Sequence, residues 1–138
     1  MMSAGEIVRE AREWIGTPYH HQARVKGAGC DCVGLFIGIG ESVGIPAMFE
    51  SDYPVTFKGR TLRSYLVRNC TEMREVGLYD APVGAILAFT MRQDEGPHHV
   101  ALRTPDGMLH AWSTGVVEHG LRWLERLDSV WWHPEVIR

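Results

Sequence analysis

Cysteine is scarce and odd in number, long apolar runs are missing, and neither sign of charge dominates. Three cysteines among 138 residues, with Cys30 and Cys32 too close for an ordinary bridge, exclude a disulfide-stapled framework and read as reduced thiols. No apolar run approaches the roughly 20 residues of a helical membrane span. Fourteen basic against 17 acidic residues leave a net charge of −3, which gives no electrostatic footprint for nucleic acid or an anionic membrane. Repeats, linkers and low-complexity tracts are also lacking, so 138 residues read as one domain spanning 1–138 with a single core. The start, Met1-Met2-Ser3-Ala4-Gly5-Glu6, has neither the charged segment nor the apolar segment of a secretory signal, and the expectation is synthesis as a cytoplasmic product.

What is present is apolar and aromatic. A hydrophobic content of 45% with five tryptophans fits a packed globule and argues against disorder. Ser3-Ala4-Gly5-Glu6 has the form of a capping box, and Ile7, Val8, Ala11, Trp14 and Ile15 recur at helical spacing until Gly16 and Pro18 end the element. Residues 46–60, with Phe49, Tyr53, Phe57, Pro46 and Pro54, read as an irregular covering loop, followed by a short helix over Leu62–Asn69. Beyond Pro82 the period becomes that of strands: Ala85–Thr90, His99–Arg103, Met108–Ser113, Val116–His119 and Val130–His133, separated by Gln93–Pro97 and Pro105–Gly107. Helices first and hairpin-linked strands later predict an α+β domain with an antiparallel sheet.

The run Gly29-Cys30-Asp31-Cys32-Val33-Gly34-Leu35 places a thiol where a loop becomes a helix. Asp31 is suited to cap that helix. Cys32 then lies in the first turn, where unpaired amides and the dipole favour thiolate over thiol. Leu35, Phe36, Ile37, Ile39 and Val43 supply the buried face, Gly44 suits a left-handed terminus and Pro46 stops continuation. Histidines follow in strand-like settings, His98-His99-Val100-Ala101-Leu102 and Met108-Leu109-His110-Ala111-Trp112. Cysteine with spatially adjacent histidine is nucleophile chemistry, with a further polar group fixing the imidazole's tautomer.

These residues carry a resemblance to the NlpC-type cell-wall cysteine peptidases of the papain-like class. Gly16-Thr17-Pro18-Tyr19 resembles the family's glycine-x-proline-tyrosine element, Asp31-Cys32-Val33-Gly34 its nucleophile motif and His99-Val100-Ala101-Leu102 its histidine strand. His110-Ala111 falls where the family places a third polar residue. The extended run through His20-His21-Gln22, with Val25-Lys26-Gly27 and Gly115-Val116-Val117-Glu118, is similar to the family's phage-tail and gene-transfer-agent branch. The chain departs from the pattern at Val33, Gly84-Ala85 and Ala101, none of them a triad position.

The resemblance implies a papain-like domain in which N-terminal helices, including the nucleophile helix, pack on an antiparallel sheet. It assigns Cys32 as nucleophile, His99 as base and His110 as orienter, with Tyr19 and Asp31 flanking the nucleophile as oxyanion or substrate-binding candidates. The implied substrate is the stem peptide of bacterial peptidoglycan, cut between γ-linked D-glutamate and a diamino acid. Tail-hub or baseplate proteins are the implied partners, a phage-like tail carries the enzyme to the wall of the target cell, and neither cofactor nor metal is required. Competing readings are an inactive structural tail-hub protein, an amidase or acyltransferase with the same triad, and a zinc site built from Cys32, His98 or His99, and His110.

Two points stay open in the sequence. A two-residue turn at Asp106-Gly107 sets His99 and His110 four residues apart along one face, whereas a four-residue loop, Arg103 to Asp106, sets them opposite. Strand alternation turns His98 away from the face of His99. His20, His21, Arg24 and Lys26 read as solvated loop residues, Trp112, Trp123, Trp131 and Trp132 as core or rim packing, and Glu118 with His119 as a polar pair.

Overall fold

The structure is a computed structural model that describes residues 2–45, 59–91 and 99–137. The local signals of the sequence are largely realised as short elements around one larger sheet. Strand β1 (Met2–Ser3) leads into α1 (Ala4–Arg12), β2 (Arg24–Val25) and β3 (Gly29–Cys30) form a small hairpin, and α2 (Cys32–Val43) follows. Then come α3 (Gly59–Asn69), β4 (Thr71–Glu72), β5 (Ile86–Phe89), β6 (His99–Thr104), β7 (Gly107–Trp112), β8 (Gly115–His119), a 3₁₀ turn at Leu124–Arg126, β9 (Leu127–Trp132) and β10 (Val136–Ile137). The main sheet has six strands in the order β4-β9-β5-β6-β7-β8, and every pairing within it is antiparallel. The expected α+β, papain-like layout, with the nucleophile helix packed on an antiparallel sheet, is the one observed.

Local chemistry explains the helix ends. Ser3 caps α1 through the Glu6 amide while the Glu6 carboxylate accepts from the Ser3 amide, a complete capping box. Asp31 caps α2 through the Gly34 amide at 2.7 Å, and Gly44 closes that helix in the left-handed region at φ 82°. The two helices approach closely because Gly38 lacks a side chain: a Cβ there would stand 2.2 Å from the Trp14 indole. Trp14 is thereby laid flat against α2, 2% exposed, with its indole N–H donating to Glu10.

The sheet is covered on both faces in its middle. Ile86 and Ala88 of β5 join a cluster with Val33, Ile37, Leu62, Leu66 and Val100 beneath α2 and α3. Leu87 and Phe89 point to the opposite cluster, with Leu78, Ala101, Met108 and Val130. A strand buried on both faces reads as a continuous apolar run, and Ile86–Phe89 does so.

Several expectations need correction. Helix α3 begins at Gly59, three residues before the expected Leu62, and the rest of the supposed covering loop, 46–58, lies outside the described residues, as do Gln93–Pro97 and His98. Strand β9 starts at Leu127, ahead of the expected Val130. Strands β1, β2, β3, β4 and β10 have two residues each, too short to show a period. Neither hairpin register holds. Leu102 pairs with Leu109, Arg103 with Met108 and Thr104 with Gly107, so the turn is Pro105-Asp106. Proline suits the first central position of such a turn because its ring fixes φ.

Candidate active site

The loop from Gly16 to Asp31 delivers Cys32, the expected nucleophile, to the start of α2. The Gly16 amide donates to Val116 and the Val116 amide to Thr17, which joins the loop to the start of β8. The Thr17 hydroxyl, 2% exposed, accepts from the Gly27 amide. Tyr19 bridges alongside Cys30, with the Cys30 amide donating to Pro18 and the His20 amide to Cys30. Asp31 is buried, and its second carboxylate oxygen accepts from the Gln22 amide at 2.8 Å. It therefore clamps loop to helix from both sides. Gly34 completes the junction: a Cβ there would fall 1.9 Å from the Ala23 carbonyl oxygen, so only glycine lets the loop lie on the first turn.

Cys32 is the first residue of α2 and is 8% exposed. Burial, then the Asp31 carboxylate, push its thiol up to about 12, against the opposing pull of the backbone at Val100, Val33 and Cys32 itself. The helix start alone does not make a standing thiolate, contrary to the sequence expectation, because the cap that builds the helix also brings a negative charge beside the sulfur. Cys32 and Val100 share one buried cluster, which sets the thiol near the strand residue that follows His99.

His99 and His110 meet side chain to side chain. His99 is 6% and His110 1% exposed, and His99 Nε2 lies 2.7 Å from His110 Nδ1. The two histidines share one sheet face, as both considered registers required. His110 continues outward: its Nε2 lies 2.8 Å from His119 Nε2, and His119 Nδ1 lies 2.7 Å from the Gly120 carbonyl. The polar pair expected of Glu118 and His119 is absent, since Glu118 instead takes Arg12 in a two-point contact and the Thr104 hydroxyl. His119 is a residue that sequence reasoning missed. Its signal was available: pairing of His110 with Val117 puts a residue two positions on, His119, on the same face.

Aromatic rings wall this chain. Trp112 lies 5.1 Å from His99, and Trp123 lies 5.3 Å from His110 and 6.1 Å from both His99 and His119. Trp123 achieves this from a left-handed conformation, φ 65°, unusual for a bulky residue. Burial, with His119 and Arg122 adding to it, lowers His110 to about 4, so its ring is neutral at ordinary pH.

Tyr19, 42% exposed, has a hydroxyl raised to about 12 by burial and by nearby Cys32, Asp31 and Cys30. It remains a hydrogen-bond donor beside the nucleophile across the physiological range. Of the other loop and aromatic residues considered, His21 Nδ1 lies 3.6 Å from Asp31 Oδ2, and the following stand apart from this geometry. Arg24 faces Glu41, and Lys26 faces Glu10 and Glu13; His20 packs its Cβ over Gly29; Trp131 and Trp132 belong to core clusters. Cys30 and Cys70 form no disulfide, and burial raises both thiols to about 12. Among the described residues no three histidine, cysteine, aspartate or glutamate side chains are grouped to hold a metal ion, and no helix is long and apolar enough to cross a membrane.

A capped helix presenting cysteine against a strand that presents a histidine, on an antiparallel sheet, is the papain-like architecture of NlpC/p60 domains. Solved structures with this fold include the NlpC/p60 domain of the peptidoglycan hydrolase SagA, at a TM-score of 0.65 and 22% identity over 94% of this chain and 97% of that one. An NlpC/p60 family protein from Bacillus cereus matches at 0.66 and 24% over 93% of this chain. The peptidoglycan hydrolase RipB from Mycobacterium tuberculosis matches at 0.61 and 22% over 92%. The chain spans 39% of the Bacillus cereus protein and 62% of RipB. No protein-family profile matches the chain, and no curated protein sequence does.

Proposed function

We propose that the protein is a cysteine hydrolase that cuts peptide bonds in peptidoglycan stems, of the γ-D-glutamyl-diamino acid endopeptidase type, as a component of a phage tail or gene transfer agent. The observation that carries the reading is the join of two elements: Cys32 and Val100 share one buried cluster, and His99, which precedes Val100, is held by His110 at 2.7 Å. The choice of substrate draws support from structural neighbours described as peptidoglycan hydrolases. The choice of bond and the tail setting draw on the motif resemblance through Gly16–Gln22 and Gly115–Glu118.

In the proposed reaction the Cys32 sulfur attacks the amide carbonyl carbon as His99 takes the thiol proton. The tetrahedral oxyanion is met by the Cys32 amide at the helix start and by the Tyr19 hydroxyl. His99 then hands its proton to the departing amine, leaving a thioester on Cys32. Water, deprotonated by His99, hydrolyses the thioester and restores the thiol. His110 keeps the His99 ring oriented throughout, and being neutral it adds no charge that would oppose the protonated ring.

The test is incubation of wild-type and Cys32→Ala protein with purified peptidoglycan, with released fragments identified by mass spectrometry. Stem cleavage by wild type alone is expected, and the mass of the new ends names the bond. Folded wild-type protein that releases nothing would move the reading to a structural tail component, and release at a non-peptide amide would move it to an amidase. Detection of the protein in purified tail-bearing particles tests the setting separately.

A further inference from the structure

The imidazole chain continues past the orienting histidine to an atom that can only accept. A carbonyl oxygen carries no proton, so the 2.7 Å contact between His119 Nδ1 and the Gly120 carbonyl requires the proton on Nδ1. In neutral His119 the other nitrogen, Nε2, is then an acceptor. The 2.8 Å contact with His110 Nε2 follows with His110 as donor, which leaves His110 Nδ1 an acceptor. His99 Nε2, 2.7 Å away, must in turn donate, and the lone pair of His99 falls on Nδ1. One backbone carbonyl at the end of β8 thus dictates which nitrogen of the proposed base is open to a proton.

We propose that His119 is a positioning residue that, with the Gly120 carbonyl, sets the direction of every hydrogen bond through His110 to His99, and that protonation of His119 reverses that direction and disables the base. This deepens the thiol-hydrolase reading above and rests on it for the role of His99. When His119 gains a proton, its Nε2 presents N–H to His110 Nε2. His110 answers by carrying its proton on Nδ1, which points N–H at His99 Nε2. Neutral His99 then holds its own proton on Nδ1, the nitrogen meant to receive one from Cys32. No net charge has to travel, only a change of tautomer in each ring.

The surroundings suit such a device. His119 is only partly buried, whereas His110 is 1% exposed, so the outermost ring meets solvent protons while the inner ring is screened. Among the described residues, His119 and Arg122 act on His110 electrostatically, and His99 meets it at 2.7 Å. Arg122 acts on His110 from the segment leading to Trp123, and together with burial it keeps His110 neutral, so His110 passes on direction rather than charge. Trp123 packs against all three rings, which restricts the ring flips that would let each histidine choose its tautomer independently.

Two measurements test this on the full chain. Long-range proton-nitrogen spectra at neutral pH are expected to show Nδ1–H for His119 and Nε2–H for His110 and His99. Nε2–H on neutral His119, or Nδ1–H on His110, overturns the proposal without any variant having to fold. The second is the rate of Cys32 alkylation by iodoacetamide, followed by peptide mapping, across pH. His119→Gln offers an amide oxygen as acceptor at the place of Nε2 and does not titrate. It is expected to stay within about 3-fold of wild type near neutrality and to move the acid limb of the profile to lower pH, whereas His119→Phe loses about 10-fold. Equal rates for Gln and Phe, or an acid limb that His119→Gln leaves in place, would sink the idea. Both readouts are independent of peptidoglycan, so failure to cleave the wall with the expected tautomers intact would strike the substrate reading alone.

Discussion

The two halves of the site are built by opposite means. On the side of the proposed nucleophile, Cys32 is placed by backbone: the Asp31 cap and the glycine junction at Gly34, with Val100 packed in the same cluster. On the base side, His99 is placed by side chains, each histidine held by the next until a carbonyl ends the series. Backbone placement is rigid and tolerates little volume. Side-chain placement tolerates volume but is sensitive to protons, since every link depends on which nitrogen carries hydrogen.

Removing the base itself has the largest expected effect. His99→Ala should lower kcat by about 10³-fold or more with the fold intact, measured on a soluble stem-peptide substrate. A loss under 10-fold would mean that another group accepts the Cys32 proton. Filling the junction on the other side is next. Gly34→Ala drives a methyl into the Ala23 carbonyl and should destabilise by about 3 kcal/mol or fail to fold, read by urea unfolding. Wild-type stability would show that the loop can yield, and the contrast of rigid and adaptable halves would fall.

Acid should act on the base side. Folded His110 sits near 4, below the ordinary 6.5, so the unfolded chain binds that proton first. Stability is full above about 6.5 and is lost as pH falls toward 4, by about 3 kcal/mol in all. Glu118, lowered chiefly by its Arg12 contact, loses stability in the same direction. Unfolding midpoints for His110→Phe should therefore fall less steeply over that window than those of wild type. The smallest expected effect sharpens the oxyanion assignment: Tyr19→Phe should slow turnover by roughly 10²-fold with little change in KM. Unchanged kcat would leave the oxyanion to the backbone alone.

How far each half could be read from sequence follows the same divide. The side of the proposed nucleophile is local, so the Asp31 cap, the thiol in the first turn and the Gly44 stop were legible within one consecutive run from Asp31 to Gly44. So was the capping box of Ser3 and Glu6. The base side depends on register between strands, and both registers considered for the hairpin missed the Pro105-Asp106 turn. The shared face of His99 and His110 survived that error because every candidate register preserved the alternation of side chains. His119 was missed because its meaning comes from a third strand, and the thiolate expectation failed because burial and the Asp31 charge act through space.

The order of the strands adds a gradient in time. Strand β5 lies inside the sheet with both faces covered, while β8 is one of its two edge strands and, among the described residues, pairs within the sheet with β7 alone. Edge strands open more often than central ones, so backbone amide exchange should quicken from β5 outward to β8. The three histidines ride on β6, β7 and β8 in turn. The ring proposed to take the thiol proton thus belongs to a slower-opening part of the molecule, and the carbonyl that anchors the series follows an edge strand.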